Sequence, residues 1–139
     1  MVTQNGIIAS DSIVIVVKPE FLSTIGIALI VRVINKIIKE INEELGFFDS
    51  NASFKGPEIR GIIFNFVKYI TGATKYQEEV MERIKKEYPN IVFENYLSES
   101  IKIAQRGEEK IPIAVSGYAA DRNYENQIRN IAKEFLKRV

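Results

Sequence analysis

The chain has 139 residues, 46% hydrophobic and 27% charged, which is typical of one globular domain and excludes a disordered or fibrous protein. Nineteen Lys and Arg against eighteen Asp and Glu give a formal net charge of +1, which excludes binding to nucleic acid or anionic lipid by bulk charge alone. Cysteine and histidine are absent, so disulfides, thiol or imidazole catalysis and an ordinary zinc site are excluded. We expect no enzyme, no metal and no cofactor.

The longest apolar stretch, residues 21–31, covers eleven residues and is closed by Glu20 and Arg32. A membrane-spanning helix needs about 20 apolar residues. No basic residue precedes Lys18 and no small-residue cleavage pattern follows, unlike a secretory signal peptide. These patterns predict a cytoplasmic protein without a membrane partner.

The first predicted elements are a strand and a long helix. Residues 13–17 are a continuous β-branched run, which is typical of a strand buried on both faces. Pro19 suits the first turn of a helix over residues 20–45, in which apolar residues recur at helical spacing. Gly46 stands where a C-terminal cap is expected.

The middle of the chain predicts a second strand and a second helix. Residues 59–70 are apolar on both faces of the extended pattern and end at Thr71-Gly72. Over residues 73–88 an apolar residue recurs every fourth position and most of the others are charged, which predicts a helix with one buried stripe.

The last part of the chain predicts strands and a final helix. Residues 91–97 form a third strand, and residues 101–104 and 111–115 form the arms of a hairpin with Gly107 in its turn. Asp121 is expected to cap a helix over residues 121–139.

The element order is therefore β-α-β-α-β-β-α, which predicts an α/β two-layer sandwich with the helices packed on one mixed sheet. No linker-like segment divides the chain. We expect a single domain over residues 1–139, with a core over residues 12–116 and a C-terminal helix over residues 121–139.

Six cations are the candidate nucleic-acid-binding residues. They lie at strand ends, beside the Gly72 turn, on the first hairpin arm and at the hairpin tip: Lys18, Lys68, Lys75, Lys102, Arg106 and Lys110. A basic hairpin can enter a groove while lysines at strand ends bind phosphate. Glu108 and Glu109 share the predicted tip, so the residues alone also fit an ordinary solvated surface.

The run from Ser12 through Ile-Val-Ile-Val-Val to Lys18-Pro19, followed by an apolar helix, resembles the start of the Alba family of small archaeal nucleic-acid-binding proteins. The strand-turn-helix junction from Tyr69 through Gly72 to Lys75 is similar to that family's junction after its second strand. The resemblance implies the fold strand-helix-strand-helix-strand-strand. It also implies a homodimer that grips duplex DNA or RNA, with Lys18 on the body and Arg106 and Lys110 on the arms.

Two other functions stay open. The first is a non-enzymatic interaction or assembly module, in which the unusually apolar first helix buries Phe21, Ile25 and Leu29 against a second copy or another chain. The second is a small-ligand enzyme that uses the Gly72 turn as an anion site beside Lys75. No catalytic constellation in the sequence supports the enzyme.

Overall fold

A computed structural model of the chain describes residues 2–68 and 75–138. This part of the chain forms five helices, a two-stranded parallel sheet and two short 3-10 turns, Ile113–Val115 and Ala119–Asp121. In chain order the helices and strands are α1 (Val2–Ile8), β1 (Ser12–Val17), α2 (Phe21–Phe48), β2 (Glu58–Phe64), α3 (Lys75–Glu87), α4 (Ile101–Glu108) and α5 (Arg122–Arg138).

The mixed α/β class is confirmed, but the predicted β-α-β-α-β-β-α order and the four-stranded mixed sheet are wrong. The helices expected over residues 20–45, 73–88 and 121–139 are present as α2, α3 and α5. The short helix α1 is not predicted, because seven residues with a central glycine carry no helical stripe.

Helix α2 is longer than the expected glycine cap at Gly46 indicates. It runs 28 residues, about 42 Å at 1.5 Å per residue, and passes through Gly46 to Phe48. The backbone N–H of Asp49 donates to the Leu45 carbonyl and closes the last turn in place of a glycine cap.

Strands β1 and β2 pair in parallel, with Ile15 beside Ile62 and Val17 beside Phe64. A register shift between Ile13 and Val14 places one extra residue, Arg60, on the β2 side. The expected second strand over residues 59–70 therefore ends early. Phe66 adopts a left-handed φ of 56°, which interrupts the regular strand, and Tyr69 and Ile70 lie outside the described residues.

The predicted third strand over residues 91–97 is an extended segment that pairs only at its two ends, with β2 at one end and with the end of β2 and the residue Val67 beyond it at the other. Parallel bridges join Ile62 to Val92 and Val67 to Ser98. Between them the backbone N–H groups of Glu94 and Asn95 donate to the Glu134 carboxylate at 3.0 and 3.1 Å. In a regular ladder the Asn95 N–H would face β2, as the Phe93 N–H does, so its bond to Glu134 interrupts the ladder there.

The predicted hairpin over residues 101–104 and 111–115 is wrong. Residues 101–108 form helix α4, with Gly107 inside it, and the second arm is the 3-10 turn after Pro112. The Ser100 side chain accepts a hydrogen bond from the Lys102 backbone N–H at 3.1 Å, so Ser100 caps the helix. The local cap outweighs the strand-like Ile-Lys-Ile alternation that suggested an arm.

The core lies on one face of the small sheet, under α2 and α3. Its buried side chains come from β1, β2, α2, α3, Val67 and Val92: Ile15, Ile27, Ile62, Phe64, Val67, Val80, Met81, Ile84 and Val92. Because one cluster joins both helices to the sheet, α2 and α3 are held side by side on that face.

Because Phe93 packs closely against β2, replacing Gly61 by alanine should affect the free energy of unfolding differently from replacing Gly46. A Cβ atom on Gly61 would lie 2.3 Å from Cε2 of Phe93, whose side chain is 1% exposed and has no room to move. We expect Gly61→Ala to lower the free energy of unfolding by about 1–3 kcal/mol. Gly46→Ala, on a helix with no atom within 4 Å of the new Cβ, should leave it unchanged or raise it by up to about 1 kcal/mol.

Urea unfolding followed by circular dichroism measures both variants. Equal midpoints for the two alanine variants would show that Phe93 does not pack against Gly61 as described.

Candidate functional site

Three of the six predicted cations, Lys18, Arg106 and Lys102, are ion-paired or hydrogen-bonded within the protein. Lys18 follows β1 and its Nζ lies 2.7 Å from Oε1 of Glu20. The hydrogen bond to Glu20, and then its charge, raise the pKa of Lys18. The Ser23 hydroxyl donates to the Lys18 carbonyl, so the turn into α2 is held locally. Lys18 is thus an exposed lysine with an acidic neighbour at the start of α2.

Arg106 has an internal role. It lies near the C-terminal end of α4, where Nε donates to Oδ2 of Asp121 at 2.7 Å and Nη1 donates to Glu109 at 2.6 Å. Its guanidinium carbon lies 4.0 Å from the centre of the Tyr118 ring, a cation–π distance. Only 18% of the side chain is exposed. The prediction that Arg106 stands at an exposed hairpin tip is therefore wrong.

Asp121 is the buried partner in this cluster. Its side chain is fully buried, and Oδ2 also accepts a hydrogen bond from the Ser116 hydroxyl at 2.8 Å. The hydrogen bond from Arg106, followed by that from Ser116, holds the pKa of Asp121 below its usual value despite burial. Among the described residues Oδ1 has no hydrogen-bond partner. Asp121 therefore joins α4 to the segment before α5, and the prediction that it caps α5 is wrong.

The other four candidates lie in two parts of the chain, on or just after α4 and on either side of residues 69–74. The ammonium group of Lys102 donates to the Ala120 carbonyl at 2.9 Å, which adds to the contact between α4 and the second 3-10 turn. Lys110 is exposed directly after α4 with a left-handed φ of 57°. Lys68 and Lys75 are exposed on either side of residues 69–74. The Gly72 turn, the proposed anion site, lies outside the described residues.

Charged groups at the end of α5 are also paired with one another. Burial raises the pKa of Glu134, but hydrogen bonds from Asn95, from the Glu94 and Asn95 backbone and from Arg138 outweigh it, so the pKa is below its usual value. Arg138 also donates to the Asn90 and Val92 carbonyls at 3.1 Å. In residues 2–68 and 75–138 no group of three acidic or other metal-binding side chains converges on one point. These contacts hold α5 in place.

The most unusual surface is on the N-terminal half of α2. Leu22, Ile25, Leu29 and Val33 follow one another at intervals of three and four residues, so they form one row on the helix, which we call the α2 row. They are 74%, 48%, 53% and 45% exposed. Phe21 and Ile30 flank the row and are 53% and 41% exposed. The opposite side of the helix supplies the buried residues Ile27, Ile34 and Ile37.

The same helix passes a length and composition test for a membrane span. An 18-residue window of α2 has a mean hydropathy of 1.9, and 17% of it is buried in the protein. Core helices and signal sequences near an N-terminus pass the same test. The eleven-residue stretch of residues 21–31 therefore underestimates the length of the apolar part of α2, which continues past Arg32. The absence of a membrane partner and the cytoplasmic location stay predictions.

Comparisons of the chain with protein-family models, with curated proteins and with solved structures give no significant match. The resemblance to the Alba family therefore depends on the residues around Lys18 and Gly72 from which it was drawn.

The Arg106–Asp121 pair predicts a pH-dependent loss of stability. Arg106→Leu leaves a buried carboxylate without its charged partner and should lower the thermal midpoint at pH 7 by on the order of 10 °C. Because the pKa of Asp121 is lowered in the folded state, the stabilisation is present above the ordinary Asp pKa and is lost as pH falls through the folded value. The difference between wild type and variant should therefore shrink below about pH 4.

Lys110→Leu is the matched control, since it removes an exposed cation just after the same helix. Calorimetry from pH 2.5 to 7 makes the measurement. A midpoint for Arg106→Leu equal to that of Lys110→Leu at pH 7 would contradict the internal role of Arg106.

Proposed function

We propose that this protein is a non-enzymatic assembly module that forms a homo-oligomer by burying the α2 row against the same row of a second copy. The observation that carries the proposal is the exposure of four large aliphatic side chains in one row, with two more beside them. Together they expose on the order of several hundred Å² of apolar surface, the range in which surface patches on monomers are often interaction sites.

The chemistry of the row favours a second copy as the partner. No residue of the row from Leu22 to Val33 is charged, the exposed Arg32 lies beside it, and the next positions along the same side, Lys36 and Glu40, carry opposite charges and form an ion pair at 3.5 Å. A net charge of +1 adds little repulsion between copies. A surface that carries no large excess of one charge can pack against its own copy across a two-fold axis, as an isologous interface requires.

The α2 row also explains why an apolar helix of this length can exist on a nearly neutral chain. The buried side of α2 packs against Ile15, Ile62 and the buried residues of α3. The α2 row has no such cover among the described residues. Burial of each aliphatic side chain in a dimer contributes about 1–2 kcal/mol, which supports association once the entropy of docking is offset.

Substitution in the α2 row tests the proposal. We expect the wild-type protein to be a dimer by light scattering at micromolar concentration. Leu29→Asp places a charge in the centre of the row and should raise the dissociation constant by at least about a hundredfold, which converts the dimer to monomer. Leu136→Asp is the matched control, because Leu136 on α5 is 78% exposed and lies outside the row.

Two outcomes would overturn the proposal. One is a monomeric wild type at 100-fold higher protein concentration, or a Leu29→Asp variant that stays dimeric. The other is flotation of the wild type with phosphatidylcholine–phosphatidylglycerol vesicles that is lost in Leu29→Asp, which would identify a lipid surface as the occupant of the row.

The nucleic-acid role implied by the Alba resemblance stays a prediction with its own test. Arg106→Glu is unsuitable for it, because the change also breaks the buried pair with Asp121. Lys68→Glu with Lys75→Glu removes two exposed lysines of the predicted site. A duplex bound through them should lose affinity, with a log K against log salt slope reduced by about 0.9 per lysine.

Lys39→Glu with Lys55→Glu, at two exposed lysines outside the α2 row and the predicted site, is the control with the same charge change. Equal duplex retention by both double variants across a salt titration would remove Lys68 and Lys75 from the predicted site.

A further inference from the structure

Strand β1 has one partner. It pairs with β2 on one side, and β2 continues to the extended segment of residues 91–98 on its other side. In residues 2–68 and 75–138 no backbone group hydrogen-bonds to the outer edge of β1. Such an edge presents a row of N–H and C=O groups that can pair with another strand.

The direction of these groups follows from the pairing with β2. The Val17 carbonyl accepts from the Asn65 N–H at 2.8 Å, and the Asp11 carbonyl accepts from the Glu58 N–H at 3.1 Å. Peptide groups alternate in direction along a strand, so the odd-numbered residues of β1 face β2. The extra residue of the register shift is on β2, which leaves the alternation on β1 intact. Val14 and Val16 therefore direct their N–H and C=O groups away from the sheet.

Over its described residues, the outer edge of β1 lacks the charges, proline and bulge that commonly protect open strands. Open edges are usually interrupted by charges, proline or a bulge on the edge strand itself. Strand β1 is Ser-Ile-Val-Ile-Val-Val, and its nearest charged residues, Asp11 and Lys18, stand outside it. Val16 is 60% exposed. The edge is therefore apolar, regular and six residues long.

The α2 row faces away from the sheet and, through Leu22, Val33 and the flanking Ile30, borders the flank of the molecule on which the open edge of β1 lies. A parallel β-α-β crossover is right-handed, so α2 packs over β1 and β2, and α3 follows on the same face toward residues 91–98. The Tyr76 hydroxyl at the start of α3 accepts a hydrogen bond from the Phe21 N–H at 3.0 Å, which fixes α3 beside α2. The side of α2 away from α3 is thus the side above the outer edge of β1.

The area needed by a dimer gives the second reason to join the two features. A stable interface buries roughly 800 Å² on each partner. The α2 row and its two flanking residues supply only several hundred Å². The outer edge of β1, with Val16 beside it, adds a strand about 20 Å long on the flank that the row borders.

We propose that β1 pairs antiparallel with β1 of a second copy, in the same dimer that buries the α2 row, so that the two small sheets become one continuous sheet across a two-fold axis. This inference rests on the proposed function. Symmetry makes the pairing antiparallel, and the outward direction of even-numbered residues places Val14 opposite Val14 or Val16 of the second copy. Main-chain hydrogen bonds then fix the alignment of the two helices.

Amide hydrogen exchange resolved by residue tests the pairing. We expect the Val14 and Val16 amides to exchange at least about tenfold more slowly above the dimer dissociation constant than below it, because they gain acceptors only in the dimer. The Ile15 and Val17 amides face β2 and should be protected at both concentrations. Val14 and Val16 amides that exchange equally fast at both concentrations would overturn the inference.

Val16→Pro provides a second measurement, since proline removes an outward N–H and is tolerated on an edge strand. It should raise the dissociation constant about tenfold more than Val16→Ala, which keeps the N–H and loses the side chain. The circular dichroism spectrum checks that both variants fold. Equal dissociation constants for the two variants would overturn the inference.

The two proposals fail in different ways. A wild-type dimer that Leu29→Asp dissociates, but in which the Val14 and Val16 amides stay unprotected, overturns strand pairing and supports the α2 interface. A dimer that Leu29→Asp leaves intact while those amides are protected overturns the α2 interface and supports strand pairing.

Discussion

The packing of α2 across the parallel pair β1–β2 is the constraint on which the rest of the structure depends. A sheet of two strands has little surface of its own, so it is stable only when its apolar face is covered. Ile15, Ile62 and Phe64 provide that face, and Ile27 of α2 and Ile84 of α3 close it with side chains at most 5% exposed. The C-terminal elements are attached around this unit by specific polar contacts, through the half-buried carboxylate of Glu134 and the buried carboxylate of Asp121.

Helix α2 therefore contributes both to the core and to an exposed apolar surface. Its buried side organises the core, and the opposite side presents the α2 row. The first half of α2 is apolar on both sides, whereas its second half has one apolar side and carries paired charges such as Lys36 with Glu40 and Lys39 with Glu43. The change of composition along a single helix records where each kind of contact is made.

The elements that the sequence predicts correctly are those specified by local periodicity. A β-branched run defines β1, and repeated four-residue spacing defines α3 and α5. The exposed face of α2 is also foreseen, since an apolar stretch around the whole helix at Phe21, Ile25 and Leu29 exceeds what one core can cover.

The parts that the sequence does not predict depend on contacts between distant residues. Residues 101–104 alternate like a strand, but the Ser100 cap and the bond from Arg106 to Asp121, fifteen positions later, stabilise a helix there. The same bond changes the candidate site, because Arg106, which the sequence places among exposed cations, is internal in the fold. Residues 91–97 have strand composition, yet Glu134 binds two of their amides from forty positions away. The signal available beforehand was the serine at position 100 before an apolar run, which is typical of a helix start.

Among the residues that the structure describes, β1 has an open outer edge, whereas the extended segment of residues 91–98 lies against β2 on the other side of the small sheet. Growth by strand addition therefore stops at two molecules, because each molecule offers one open edge and a two-fold contact pairs these two edges with each other. A chain with such an apolar edge is accordingly able to form a closed pair without the open-ended polymerisation that leads to fibres.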